Sequence, residues 1–157
     1  MNKMVRQKQR IRHNPARGKF GDCYRTCVAM VMGLDPEDVP HFCDGNPEDV
    51  SGLSSLRDWL QPQGFGVFQN IYTADTSFDQ LMHSLSALSP GVPVIVTGLG
   101  AREVNHCVVA IDGEVFCDPS SGKASKEPFL GPAVSDGEEW WWIEVICRLP
   151  GRLEVSP

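Results

Sequence analysis

The sequence has no hydrophobic run long enough to cross a membrane. Its longest apolar stretches, Val92–Val96 and Trp140–Val145, have the length of strands, whereas a membrane-spanning helix needs about 20 apolar residues. No apolar segment of signal-peptide length follows the basic N-terminus. We therefore expect a cytoplasmic protein with no membrane as its partner.

The sequence also lacks an internal repeat, a low-complexity tract, a conspicuous pair of carboxylates and a phosphate-binding loop. Gly98-Leu99-Gly100 has neither the third glycine nor the strand–helix context of a nucleotide-binding loop. These absences argue against repeat architectures and nucleotide-dependent chemistry, and we expect no cofactor.

Acidic residues are missing from the first 19 positions, which hold seven of the 14 Lys and Arg residues. The rest of the chain has the other seven against all 20 Asp and Glu, a formal charge of −13 (7 − 20). We therefore divide the chain into a basic arm, residues 1–19, and a single domain, residues 20–157. The arm lacks interleaved aromatic residues, which argues against nucleic acid as a partner. We expect it to pack on the acidic surface of the domain or to extend into solvent.

Six cysteines are present, and in a cytoplasmic protein thiols are more common than disulfides. Cys27 lies one helical turn after Cys23 and is assigned to the core. Cys107, Cys117 and Cys147 lie in apolar strand patterns, so we expect them to be small core residues as well.

Hydrophobic periodicity predicts helices first and an antiparallel sheet afterwards. The predicted helices are Cys23–Gly33 with Asp22 as its cap, Ser51–Gln61, and Ser77–Leu88 with Asp75 or Thr76 as its cap; the predicted strands are Met4–Arg12 in the arm, Val67–Thr73, Pro93–Thr97, His106–Ile111, Glu114–Cys117 and Glu139–Arg148. Loops are expected at Asp44–Val50 and Asp118–Ser135. The order is typical of an α+β domain in which a buried N-terminal helix packs on the sheet.

Three consecutive tryptophans, Trp140 to Trp142, lie in the last predicted strand. Side chains alternate across a strand. We expect Trp140 and Trp142 to lie in the core and Trp141 to face outwards.

The candidate chemistry comes from three residues far apart in the chain. Cys23 begins an apolar helix, where the helix dipole and unpaired N–H groups favour the thiolate. His106 begins a strand, and Asp118 ends the strand that follows the Asp112-Gly113 hairpin turn. A thiol, an imidazole and a carboxylate in this order are the parts of a Cys-His-Asp nucleophilic site. Asp118 has a second interpretation, as the cap of the turn that follows it.

A zinc site is the alternative chemistry. Cys23, Cys27, His41 and Cys43 offer ligands at short spacing. The paired spacing of zinc knuckles is absent, so no metal is included in our main prediction. We expect His41 and Cys43 to be loop residues near the cleft.

The sequence resembles the papain-like cysteine peptidase superfamily, and is most similar to bacteriocin-leader peptidases and related short proteins of bacteria and bacteriophages. The matching segments are Gly21-Asp22-Cys23 with the helix to Leu34, Asp38 to Phe42, Asn105 to Val109, and Asp118-Pro119. The resemblance covers about residues 20–120. It implies a papain-like fold with a central N-terminal helix on an antiparallel sheet. It also implies Cys23 as the nucleophile, His106 as the base and Asp118 as the residue that orients the ring.

The sequence departs from the family at the oxyanion hole. Such enzymes usually carry a Gln a few residues before the cysteine, where this chain has Arg17 or its neighbours. The candidate replacements are Gln9 or Gln7 from the arm, Asp22, or backbone N–H groups alone.

The main hypothesis is a thiol hydrolase or transferase that attacks an amide, isopeptide or related acyl bond in a peptide or protein. Two alternatives stay open: a catalytically silent, papain-like binding protein, such as a phage factor that sequesters a host protein or ligand, and a zinc-stabilised module. The sequence makes no prediction about oligomeric state.

Overall fold

The computed structural model describes residues 3–45 and 52–151. Among these residues there are three α-helices: α1 is Cys23–Met32, α2 is Gly52–Leu60 and α3 is Phe78–Leu88. Gly33 ends α1 in the left-handed conformation, with φ of 68°, which glycine adopts without steric cost. The three helices match the predicted ones within two residues at each described end. Asn46–Ser51, which includes most of the predicted 44–50 loop and the predicted start of α2, lies outside the described residues.

The described strands form one antiparallel sheet. In chain order they are β1 Phe65–Thr73, β2 Val94–Leu99, β3 Asn105–Ile111, β4 Glu114–Cys117, β5 Gly131–Ser135 and β6 Glu138–Arg148. Their order across the sheet is β1-β6-β5-β2-β3-β4, and β6 also pairs with β2. The α+β class is therefore confirmed.

Helices cover both faces of the sheet. On one face α1 and α2 pack on Ile95 and Val109 and form one apolar cluster. On the other face α3 packs on Val96 and Val108 and forms a second cluster. Neighbouring residues of β2 and β3 enter different clusters because side chains alternate across a strand. The sequences of β2 and β3 are continuous apolar runs because helices cover these strands on both faces of the sheet.

Two local predictions are corrected. The cap of α3 is Ser77, not Asp75 or Thr76: its hydroxyl accepts from the Gln80 N–H, and the Gln80 side chain accepts from the Ser77 N–H. The expected 118–135 loop contains β5 at its end, because Gly131–Ser135 pairs with β2 and β6. Its five residues carry too little alternation to indicate a strand.

The predicted orientation of the tryptophans is wrong. Trp141 is 2% exposed, and its Nε1 donates to the Thr76 carbonyl at 2.8 Å. Its ring contacts the rings of Phe78 and Phe129. The three tryptophans do alternate across the strand. Trp141 is the buried one because it lies on the face that α3 covers.

The cysteine predictions are confirmed at Cys27, Cys107 and Cys117, which are buried, and wrong at Cys147, which is exposed. Cys147 lies near the end of β6, opposite Gly66 in the register with β1. Alternation alone does not show how far a covering layer extends along a strand.

The N-terminal arm packs on the domain over its described residues 3–19. Arg10 forms salt bridges with Asp35 and Glu37, and the Arg6 guanidinium lies over the Phe116 ring. The strand predicted at Met4–Arg12 does not form; the chain there has no regular secondary structure and bends at Arg10 and Ile11. The expectation that basic residues of the arm contact acidic residues of the domain is confirmed at Arg10.

No helix in the described part of the chain has both the length and the apolar character needed to cross a bilayer.

We expect Trp141→Ala to lower the free energy of unfolding by about 3–5 kcal/mol, because it removes a buried ring and opens a cavity. Chemical denaturation monitored by far-UV circular dichroism measures the change. The matched control is Phe68→Ala on β1, where the ring is 64% exposed and the expected change is below about 0.5 kcal/mol. Equal losses in the two variants would contradict the assignment of Trp141 to the core.

Candidate active site

Cys23 is the first residue of α1, and its thiol is partly exposed. The preceding residue, Asp22, is fully buried. We expected its carboxylate to cap the helix, but it makes no capping hydrogen bond. It accepts from the Ile11 N–H at 2.8 Å and pairs with Arg25 at 3.0 Å. Asp22 therefore fastens the arm and the first turn of α1 together and holds the sulfur in place.

His106 and Asp118 meet across the β3–β4 hairpin. Its turn residues Asp112 and Gly113 have φ of 51° and 77°, the left-handed pair that a tight hairpin requires. The register places Cys117, the last residue of β4, opposite Val109, and just beyond this pair His106 Nε2 lies 2.8 Å from Asp118 Oδ1. The same carboxylate oxygen accepts from the Ser120 N–H at 2.8 Å. Capping of the turn and orientation of the ring are therefore both performed by Asp118.

Two glycines leave room for the imidazole. A Cβ atom at Gly100 would lie 2.9 Å from His106 Cβ, and one at Gly98 would lie 2.6 Å from the Trp141 ring. Both distances are shorter than real Cβ contacts. The absence of side chains at Gly98 and Gly100 thus permits the close packing of His106 and Trp141.

The Cys23 thiol lies close enough to the His106 ring that each group shifts the pKa of the other. Because Nε2 is bound to Asp118, Nδ1 is the ring nitrogen that remains for the sulfur. Three predicted site residues are therefore brought together: Cys23, His106 and Asp118. They come from a helix start, a strand start and a strand end.

The surroundings of His106 favour its charged form. Burial is the largest single influence and acts against the charge, but hydrogen bonds to Asp118 and Cys23 and the negative charges of both groups outweigh it. Together they raise the pKa of His106 to about 9. The pKa of Asp118 is lowered: burial opposes its ionisation, and the hydrogen bonds from His106 and Ser120 overcome that effect.

The thiol of Cys23 is acidified. A hydrogen bond with the Cys107 thiol is the main cause of its lowered pKa, and the hydrogen bond and charge of His106 add to it, while burial acts in the opposite direction. The pKa of Cys107 is raised by the same contact and by burial. We expected Cys107 to be only a core residue. Its thiol also lies against the Cys23 sulfur and lowers the pKa of Cys23. No local pattern indicates this, because the contact joins α1 to β3.

Cys27 has the opposite environment. It is fully buried, and burial raises the pKa of its thiol well above the usual value. The pKa values of two cysteines one helical turn apart are therefore shifted in opposite directions.

The candidates for the oxyanion hole lie in different places. Gln7 donates its side-chain amide to the Leu34 carbonyl beyond the far end of α1. It is therefore not the donor of an oxyanion hole at Cys23. Asp22 is not that donor either, because its carboxylate accepts hydrogen bonds from Ile11 and Arg25. Gln9 stays close: it lines a cavity together with His106 and Asp118, and its N–H donates to the Pro119 carbonyl at 2.8 Å.

An open groove of about 820 Å³ runs past Cys23 and Cys107. Its walls are aromatic and its floor is the sheet; the lining rings include Phe20, Tyr24, Phe42, Trp140 and Trp142. His13 also lines it, with Nδ1 accepting from the Gly21 N–H at 3.2 Å, which leaves the ring proton on Nε2. Sequence reasoning placed Trp140 and Trp142 in the core, but they form the groove.

A hydrogen-bonded carboxylate lies at the floor of this groove. Tyr24 donates its hydroxyl to Glu144 Oε2 at 2.5 Å, and Gln69 Nε2 donates to Glu144 Oε1 at 3.0 Å. Glu144 is only 4% exposed. Burial raises its pKa, and the hydrogen bonds from Tyr24 and Gln69 act against that rise. The pKa of Tyr24 is raised by burial and by the charge of Glu144.

The candidate zinc ligands do not form a cluster. Cys27 lies in the core, and His41 Nε2 lies 2.9 Å from the Phe20 carbonyl. Cys43 lines the groove, as expected of a loop residue near it. The described residues contain no group of three or more His, Cys, Asp or Glu side chains that could hold a metal.

Comparisons of the chain with models of known protein families, with curated proteins and with solved structures gave no match.

Proposed function

We propose that the chain is a papain-like thiol hydrolase or transferase, which attacks an amide, isopeptide or related acyl bond through Cys23. One observation carries this proposal: the His106 ring lies between the Asp118 carboxylate, 2.8 Å from Nε2, and an acidified thiol at the start of α1. A buried thiol with only a structural role does not need an oriented imidazolium beside it.

The three groups support a two-step reaction. The Cys23 thiolate attacks the acyl carbon and forms a C–S bond, and the carbonyl electrons move to the oxygen. When the oxygen reforms its double bond, the C–N bond breaks and the His106 imidazolium protonates the leaving nitrogen. His106, now neutral, removes a proton from water or from an acceptor amine, which attacks the thioester. The acid or the new amide leaves, and the Cys23 thiolate and His106 imidazolium are restored.

Charge on the acyl oxygen needs hydrogen-bond donors. The first N–H groups of a helix have no partner within the helix, so the backbone N–H of Cys23 is the nearest donor to the developing oxyanion. Gln9 is the side chain that best complements it. Its Nε2 donates to the Ile11 carbonyl at 2.9 Å, so the amide has to leave this acceptor to serve the oxyanion.

The architecture agrees with the resemblance seen in the sequence. An N-terminal helix carries Cys23, packs on an antiparallel sheet and contacts β3, in which His106 is the second residue. The open groove of about 820 Å³ suits an extended peptide or protein segment better than an enclosed small molecule.

We expect iodoacetamide at pH 6 to alkylate Cys23 roughly 100-fold faster than the exposed Cys147, because an ordinary thiol is almost fully protonated at that pH. Mass spectrometry of the digested protein measures the rate at each cysteine. His106→Ala removes the imidazolium and is expected to reduce the advantage of Cys23, while the contribution of Cys107 remains. Equal rates at the two thiols of the unaltered protein would refute an activated nucleophile and leave a silent binding protein.

Asp118→Asn is expected to lower the pKa of His106 from about 9, because the hydrogen bond and the negative charge that stabilise the imidazolium are weakened. Turnover of a cleaved substrate should fall roughly 10²- to 10⁴-fold. NMR titration of the ring carbons, assigned with His106→Ala, gives the pKa directly. The control is Asp112→Asn, the same change at the other end of the hairpin. A His106 titration midpoint that is the same in both variants would show that Asp118 does not support the ring.

Cys107→Ala removes a donor from the Cys23 sulfur, so the pKa of Cys23 is expected to rise and alkylation at pH 6 to slow roughly tenfold. The pH dependence of the alkylation rate measures this shift. Cys117→Ala removes another buried thiol of the same hairpin and should leave the midpoint unchanged. If the two variants behave alike, the contact with Cys107 does not acidify Cys23.

A further inference from the structure

Glu144 is a buried carboxylate that has no cationic partner within residues 3–45 and 52–151. Its two hydrogen-bond donors, Tyr24 and Gln69, are neutral, and none of the salt bridges within the described residues includes it. Buried carboxylates are normally paired with a positive charge. A carboxylate kept at 4% exposure without such a pair, on the floor of an open groove, has room for a cation supplied by a ligand.

The groove exists because the helices cover only part of one sheet face. Alternation along β6 places Trp140, Trp142 and Glu144 on the face that carries α1 and α2, with Ile71 opposite Trp142 on β1. Farther along β6, Ile146 packs into the apolar cluster of these helices. Trp140, Trp142 and Glu144 instead line the groove, so two large rings stand beside the carboxylate.

The Asp, Glu, Lys and Arg side chains among the described residues that line the groove are all acidic. Its described lining residues include three carboxylates, Asp136, Glu138 and Glu144, and no Lys or Arg. The other titratable groups of the described lining are His13, Tyr24 and the thiols of Cys23, Cys43 and Cys107. Indole faces attract cations, and the attraction is stronger when the cation is shielded from water. Aromatic walls above a buried carboxylate are therefore suited to a Lys or Arg side chain with its long apolar stem.

Glu144 lies close to Cys23 in the groove. Tyr24 follows Cys23 directly in α1, and its hydroxyl contacts Glu144. The carboxylate thus lies about one tyrosine side chain away from the first turn of the helix. A residue bound at Glu144 belongs to the part of a substrate that lies next to the bond presented to the Cys23 sulfur.

We propose that the groove selects a peptide segment with a Lys or Arg side chain close to the attacked acyl group, and that Glu144 binds this cation beside Trp142, with Trp140 farther along the same wall. The inference rests on the proposed function for the identity of the attacked bond. The cation site itself depends only on the groove.

Cleavage of fluorogenic tetrapeptide amides tests the substrate class. Each position in turn carries Lys, norleucine or Glu, and the three residues differ mainly in charge. At one position we expect kcat/KM to favour Lys over norleucine by about tenfold or more, and Glu144→Gln to reduce this preference to about one. The control is Glu139→Gln, the same change on the same strand but outside the groove. Equal rates for Lys and norleucine, or a preference that survives in Glu144→Gln, would overturn the inference.

A second measurement does not need turnover. Methanethiosulfonate reagents with a trimethylammonium, a methyl or a sulfonate group form a mixed disulfide with the Cys23 thiolate and release methanesulfinate. Mass spectrometry gives the rate at Cys23, normalised to free cysteine. We expect the ratio of cationic to anionic reagent to fall severalfold in Glu144→Gln and to stay constant in Glu139→Gln. Thermal unfolding of both variants shows whether Glu144→Gln keeps the fold.

The two measurements separate the two proposals. If no tetrapeptide amide is cleaved but the charge preference at Cys23 depends on Glu144, the cation site stands and the hydrolase proposal fails. If tetrapeptides are cleaved without a preference for Lys, the hydrolase proposal stands and the cation site fails. If nothing is cleaved and the reagent ratio is the same in Glu144→Gln and the unaltered protein, both fail.

Discussion

The contact between His106 Nε2 and Asp118 Oδ1, at 2.8 Å, is the interaction on which the site depends. Burial alone would drive the proton from the ring, yet the pKa of His106 is raised to about 9. The bond also uses one ring nitrogen and so presents the other to Cys23. The orientation and protonation of the ring therefore depend on a single carboxylate directly after β4, and the ring in turn adds to the acidity of the thiol.

The helix α1 serves both the core and the site. Its apolar side chains lie in the cluster beneath the sheet, with Cys27 and Met30 fully buried. Its first turn is held by Asp22, which joins Ile11 of the arm to Arg25. A nucleophile on such a rigidly packed element keeps its position without support from a loop, which is what precise attack on an acyl carbon requires.

The groove lies where the packing of the helices on the sheet ends. The α1 and α2 layer covers one half of a sheet face, and the other half presents Trp140, Trp142 and Glu144. Large aromatic surfaces and a buried carboxylate add little to folding when they are left in this way. The same arrangement is well suited to binding an extended chain beside the thiol, so the uncovered part of the sheet and the acidified cysteine together define one surface.

The sequence alone determined the elements whose signals are local. The apolar helix ending at Gly33, the Asp112-Gly113 hairpin and the order of helices before strands are fixed by neighbouring residues, and with them the positions of Cys23, His106 and Asp118. Tertiary structure decided what depends on contacts between distant segments. It buried Trp141, paired the weakly patterned β5 into the sheet, placed the Cys107 thiol against Cys23 and put Glu144 beneath the groove. A periodic pattern shows which side chains share a face, but only the packed layers determine which face is covered, how far the cover extends and which groups meet across it.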